Sequence, residues 1–218
     1  MLYGNRKMKF RIETEKFIFD HAEELAALSR EAYHEHLMKN IKFAATQRTA
    51  ADICRIGKNA FLACALEGNE IVGCVLFYIN RKNNTAHGEN YAVKSSLKGQ
   101  KIGSRLAELV CSFLAENKVD IYQFDTSSKT PNVINFHKKY GCKVVGMVSW
   151  PNTNYYSVIL RKAINPNFEI SDLEAEKMFR RSEFWCKKCF NENGSRTMIG
   201  GGGYLMKRLL SIIKKIWK

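Results

Sequence analysis

Apolar positions along this chain change period several times, and each change marks an element. From Lys9 to Phe19 the pattern begins by alternating, which predicts a half-buried strand. Asp20, with Glu23 three residues on, reads as a reciprocal helix cap. Leu25, Leu28, Ala32 and His36 then recur at helical spacing to about Lys39. Residues 46–56 read as a second, shorter helix. Apolar runs at 60–66 and 71–79 flank the turn residues Glu67, Gly68, Asn69 and Glu70, and so predict a hairpin. A polar loop at 80–84 leads into a strand over 85–93. The chain then turns polar and glycine-bearing before a helix over 102–117, whose buried face is Leu106, Leu109, Val110, Phe113 and Leu114. A strand at 120–126 and a loop at 127–132 follow. A helix opens on Pro131 and stops at Gly141, and strands at 142–148 and 155–161 complete the pattern.

Helices alternating with strands through the middle of the chain predict an α/β fold with a mixed sheet. Residues 164–218 have a different character. Ser171 and Glu174 form a second capping pair, for a helix to about Lys188, and Asn191–Ser195 is polar and loop-like. Four consecutive glycines at 200–203 read as a flexible linker. Over 204–218, Lys207, Arg208, Ser211, Lys214, Lys215 and Lys218 fall on one helical arc. Leu205, Met206, Leu209, Ile212, Ile213, Ile216 and Trp217 fall on the other. The organisation predicted is a main domain at 1–163, a helical and loop extension at 164–203, and a basic amphipathic helix at 204–218.

Charge narrows the class of partner. The 218 residues carry 35 basic and 21 acidic side chains, a net charge of +14, which favours an anionic ligand or surface. No specific RNA or DNA motif accompanies the charge, so nucleic acid ranks last. The amphipathic arcs of 204–218 suit an anionic membrane surface, or equally a protein face. No apolar run reaches the roughly 18–20 residues of a membrane span. The start, Met1 to Phe10, has charge but no apolar leader region, and the seven cysteines are an odd number set mostly in apolar segments. A cytoplasmic protein with free thiols is the expectation. Cys186 and Cys189 form a lone pair with no second pair to complete a four-ligand zinc site, so no metal is expected.

The chemistry centres on 87–104. A strand that delivers a Gly-bearing loop onto a helix N-terminus makes an anion site. The first helical amides lack intrahelical acceptors, and the helix dipole adds partial positive charge there. Within this stretch, Val93-x-Ser95-x-x-Lys98-Gly99-x-Lys101-Ile102-Gly103 resembles the acyl-CoA loop of the GNAT family of N-acetyltransferases. Thr130-Pro-Asn-Val-Ile-Asn-Phe-His-Lys-Lys-Tyr-Gly-Cys142 resembles a second segment of that family, and the resemblance covers about residues 9–163. Three departures stand out. Lys98 replaces the usual Arg or Gln, Ser95 replaces Pro, and Lys101 replaces a loop Gly.

The resemblance implies a GNAT-like, largely antiparallel sheet flanked by helices, and transfer of an acetyl group from acetyl-CoA to a primary amine. It implies a cofactor site over Tyr91, Ala92, Val93, Lys98, Gly99, Gln100, Lys101, Ile102, Gly103 and Ser104. The strand edge at 89–93 would take the pantetheine arm, and the amides of Gln100, Lys101, Gly103 and Ser104 the pyrophosphate. Val93 would offer its amide to the thioester carbonyl. Relatives often place a base on the fourth strand, where Glu89 lies, with His87 on the same face. His137 stands where relatives commonly have a Tyr near the CoA sulfur. An imidazole titrating near ~6.5 could protonate the thiolate there.

The acceptor expected is a small amine, with an amino sugar or sugar nucleotide as the specific reading. Trp150, Tyr155 and Tyr156 would form an aromatic wall, and His34 and His36 would lie near the acceptor cleft. The alternatives are a protein or peptide amine, or a non-catalytic acyl-CoA-binding module tethered to membrane.

Overall fold

The computed structural model describes residues 8–195 and 197. Its seven strands form one mixed, mostly antiparallel sheet in the order β1-β2-β3-β4-β5-β7-β6. The chain divides into two compact units, one comprising residues up to Ile79 with Ala86–Asn117, the other Asn80–Thr85 and residues from Lys118 on.

The first unit opens with β1 (Lys9–Glu13), α1 (Glu15–Asp20) and α2 (Ala22–Met38). The strand expected over 9–19 therefore stops early, because its second half is a helical turn that buries one residue. Ile18 is fully buried against Gly57, where an added Cβ would stand 2.5 Å from the Ile18 Cγ2. Asp20 is accordingly the last residue of α1 and does not cap α2. His21 takes the cap position with no side-chain cap bond, and Glu24 accepts from the His21 ring at 3.0 Å and from the Ile71 amide at 2.7 Å. Leu25, Leu28 and Ala32 are buried as the spacing predicts. The second helix is shorter than expected. A 3-10 turn at Ala44–Gln47 precedes α3 (Ala50–Gly57), which Thr49 and Asp52 cap reciprocally.

The hairpin forms as predicted from β2 (Phe61–Glu67) and β3 (Glu70–Asn80), with Gly68 at φ +64° in the turn. β4 (Thr85–Val93) and α4 (Ile102–Glu116) follow. Ile18, Leu25, Ile53, Leu62 and Leu76 form the centre of this unit's core. Each such side chain contributes about 1.5–3 kcal/mol on burial. Gly73 lets α4 approach β3 closely, since a Cβ there would meet Ile102 at 3.0 Å and Leu106 at 3.1 Å.

The second unit contains β5 (Ile121–Ser127), α5 (Pro131–Lys139), β6 (Lys143–Ser149), β7 (Tyr156–Ala163) and α6 (Asp172–Cys189). Ser171 and Glu174 cap α6 reciprocally, as the sequence indicates. α6 packs on the sheet through Ala175, Met178 and Trp185 against Val145, Val148 and Ile159. Its Ser182 hydroxyl accepts from the Met147 amide at 2.9 Å and donates to the Met147 carbonyl at 3.0 Å. The helix thus satisfies backbone groups of the edge strand β6. The Gly200–Gly203 linker and the amphipathic segment 204–218 lie outside the described residues.

Candidate active site

β4 divides its side chains by face. Ala86, Gly88, Asn90 and Ala92 are buried, while His87, Glu89, Tyr91 and Val93 are more open. The buried Asn90 amide donates to the Ser29 hydroxyl at 2.8 Å, and Ser29 donates to the Leu25 carbonyl at 2.7 Å, so α2 is locked to the strand. On the open face, Glu89 lies 3.8 Å from the Arg48 guanidinium and 3.8 Å from the His87 Nε2. Arg48 is buried between the 3-10 turn and α3, so a fixed cation backs the carboxylate. The Tyr33 hydroxyl donates to the Tyr91 carbonyl at 2.9 Å, and the Tyr91 hydroxyl donates to the Gly103 carbonyl. Tyr91 therefore joins α2, β4 and the start of α4.

The loop between β4 and α4 is held by acidic residues of α2. The Lys94 amide donates to the Val72 carbonyl at 2.8 Å, and the Ser95 amide donates to Glu31 at 2.9 Å. Lys98 reaches Glu35 at 2.9 Å, and that hydrogen bond is the main reason the Glu35 carboxyl lies below its usual range. His36, beside Glu35, packs on Tyr33 and Phe43, and burial lowers its pKa.

Gly99 has φ +85°, and an added Cβ there would meet nothing within 4 Å. Lys101 has φ +61° and ψ 13°, so it holds the left-handed conformation that a glycine adopts without strain. The first intrahelical bond of α4 is Arg105 N–H to the Lys101 carbonyl at 3.1 Å. The helix thus leaves its earlier amides, at Ile102, Gly103 and Ser104, without an intrahelical acceptor. The Gln100 amide donates within the loop, to the Leu97 carbonyl at 3.3 Å.

A family model described as the acetyltransferase (GNAT) family matches residues 20–142, more than half of the chain. The chain belongs to the GNAT family of acetyltransferases. GNAT acetyltransferases use acetyl-CoA as acyl donor. Similar solved structures include an N-acetyltransferase from Staphylococcus aureus, at 12% identity and TM-score 0.57 over 73% of this chain and 99% of that one. The PaiA N-acetyltransferase of Thermoplasma acidophilum, solved with coenzyme A, is 14% identical with TM-score 0.57 over 72% and 99%. An Escherichia coli enzyme that acetylates an alanine of a ribosomal protein is 13% identical with TM-score 0.56 over 75% and 100%. At these identities the likeness is one of fold. No curated protein matches the chain.

The residues of this GNAT loop fit a diphosphate-bearing donor. A helix N-terminus offers amides, Gly99 leaves open space above the loop, and the cation Lys98 stands on it. The Lys101 conformation carries its own prediction. In the left-handed region a Cβ costs roughly 1–2 kcal/mol, partly offset by the greater unfolded-state freedom of Gly. Lys101→Gly is expected to be more stable than Lys101→Ala by about 1 kcal/mol. Urea midpoints of the two variants check this, and an Ala variant as stable as the Gly variant contradicts it.

His137 lies in the second unit, on α5. It is buried, its ring 4.4 Å from Phe124 and 4.9 Å from Phe136. Burial pushes its pKa down to about 4, so near neutral pH it is an uncharged imidazole and not a ready acid. The aromatic wall is also reduced. Tyr155 is buried, and the Tyr156 hydroxyl donates to the Phe190 carbonyl at 2.9 Å. Trp150 remains exposed, with its indole N–H donating to Asp125 at 3.0 Å. His34 is exposed on α2. Cys186 and Cys189 are buried on α6, and burial raises both thiols, Cys186 to about 12. No helix among the described residues is long and apolar enough to cross a membrane.

Sequence reasoning missed Arg48, Tyr33, Glu31 and Glu35. The two glutamates had a usable signal, because they are four apart on a predicted helix and share a face. Arg48 had none, being a single cation in an irregular connection.

Proposed function

We propose that this acetyltransferase delivers the acetyl group to the primary amine of a small acceptor of the amino-sugar class, free or nucleotide-linked. The observation that carries the reading is the junction of β4 with α4. One rigid element presents Glu89, backed by Arg48, and leads into a loop whose helix offers its first amides. Bound acetyl-CoA supplies the activated thioester. The amides of Lys101, Gly103 and Ser104 hold its phosphates, Tyr91, Ala92 and Val93 line its arm, and the Val93 N–H polarises the carbonyl.

Glu89 takes the proton that the acceptor ammonium must lose before its nitrogen can attack. Arg48 keeps that carboxylate in one place. The carbon–nitrogen bond forms as the carbon–sulfur bond breaks; the nitrogen sheds its second proton to solvent, and the departing thiolate takes a proton from solvent. Within the second unit, Trp150 is an exposed indole whose N–H is held by Asp125, a flat face of the kind that sugar rings stack on. The net charge of +14 favours an acceptor that also carries phosphate.

Calorimetric titration with acetyl-CoA is the first test. Saturable binding in the range of about 1 μM to 1 mM is expected, with at least a tenfold loss in Gly103→Val. A lack of binding at millimolar acetyl-CoA sinks the proposal. Thiol release is then followed with amino sugars, nucleotide amino sugars and a peptide beginning with alanine. Release with the peptide alone overturns the acceptor class.

A further inference from the structure

The second unit contains a pocket that the acetyl-transfer reading does not use. Gly141, Lys143, Arg161, Lys162, Ala163, Phe168, Glu169 and Ile170 enclose about 130 Å³. Pockets for drug-sized molecules run to roughly 300–1,000 Å³, so this one has room for a single small ion. Three cations line it against one carboxylate.

Arg161 is the lining residue that lacks a counter-charge. Arg161 stays charged in proteins, yet its Nε lies buried without a hydrogen-bond partner. Its neighbours across the sheet are Lys143 on β6 and Gln123 on β5, so neither supplies an opposite charge. The carboxylates near the pocket serve Lys143, whose Nζ lies 3.2 Å from Asp172 and 3.9 Å from Glu169. Lys162, the next residue of the strand, turns to the other face of the sheet, where it donates to the Tyr140 carbonyl. Desolvation alone lowers the Arg161 pKa, with no opposing charge to offset it. A half-buried guanidinium without a counter-charge is costly, and its planar fork matches two oxygens of an oxyanion.

We propose that this pocket binds a small oxyanion of the phosphate class, held by the Arg161 guanidinium with Lys143, its cross-strand neighbour on the same face of the sheet, beside it. A phosphate dianion matches these two cations and the size of the space. A carboxylate offers the same fork geometry with half the charge.

The test follows the side-chain Nε–H signal of Arg161 by NMR in the full chain, assigned by its loss in Arg161→Gln. The chain is titrated with inorganic phosphate, and separately with acetate, at constant ionic strength in chloride. A saturable displacement of the Arg161 signal by phosphate is expected. Lys143→Gln should weaken it at least tenfold, about 1.4 kcal/mol, and acetate should bind at least tenfold more weakly than phosphate. A signal that does not move, or moves without saturating, overturns the proposal. So does an unchanged affinity in Lys143→Gln, and equal affinity for acetate overturns the phosphate assignment. Where Arg161→Gln does not fold, the signal is assigned through its own backbone, and the Lys143→Gln and acetate arms still decide.

Discussion

Glu89→Gln is expected to lower kcat by about 10²–10⁴-fold, the usual contribution of a positioned general base. The substitution keeps the size of the side chain and removes only its ability to take a proton. The affinity for acetyl-CoA should stay within about threefold of the wild type, because the phosphate-facing amides lie on α4 and not on Glu89. Arg48 is buried and would lose its counter-charge, so the variant should also melt earlier. Turnover is therefore compared well below either melting temperature. Full kcat in a folded Glu89→Gln enzyme removes Glu89 from the chemistry.

Lowering the pH from about 7.5 to about 5 should cost the wild type about 2 kcal/mol more stability than it costs His137→Gln. In the folded chain the imidazole titrates at about 4, because burial among Phe124 and Phe136 opposes its charge. In the unfolded chain it titrates near ~6.5. Between these values the unfolded state binds a proton that the folded state does not. Stability is therefore fully present above about 6.5, falls as pH drops, and has lost its whole increment below about 4. His36 is shifted in the same direction by burial, which is why the comparison uses a His137 variant and not the pH profile alone. Denaturant unfolding at the two pH values measures the difference. Equal losses in the two proteins would show that His137 is solvated and free to act as an acid.

Much of the fold could be read from the chain, because most elements rest on local signals. The capping pair at Ser171 and Glu174, the turn at Gly68, the Pro131 start of α5 and the stop at Gly141 all act within a few residues. The misread region, 14–20, depends on a distant partner. Ile18 reads as one member of an apolar run until Gly57 is seen to leave room for it. The site divides in the same way. The loop at 98–104 carries a local pattern, and even the Lys101 substitution keeps the left-handed turn that the pattern requires. Arg48 meets Glu89 across 41 residues of sequence, and Glu31 meets Ser95 across 64, so no local pattern could pair them. The charge state of His137 depends on its burial beside Phe124, which belongs to a strand and not to its own helix.

The contact between Ser182 and Met147 bears on how copies of this protein can assemble. The sheet has two outer strands, β1 and β6. On β6, both backbone groups of Met147 are already bonded to the Ser182 hydroxyl of α6. A second molecule could not add a strand there without first lifting α6 and exposing Val145, Val148 and Ile159. Growth of a continuous sheet from one molecule to the next is thus opposed at Met147 of β6.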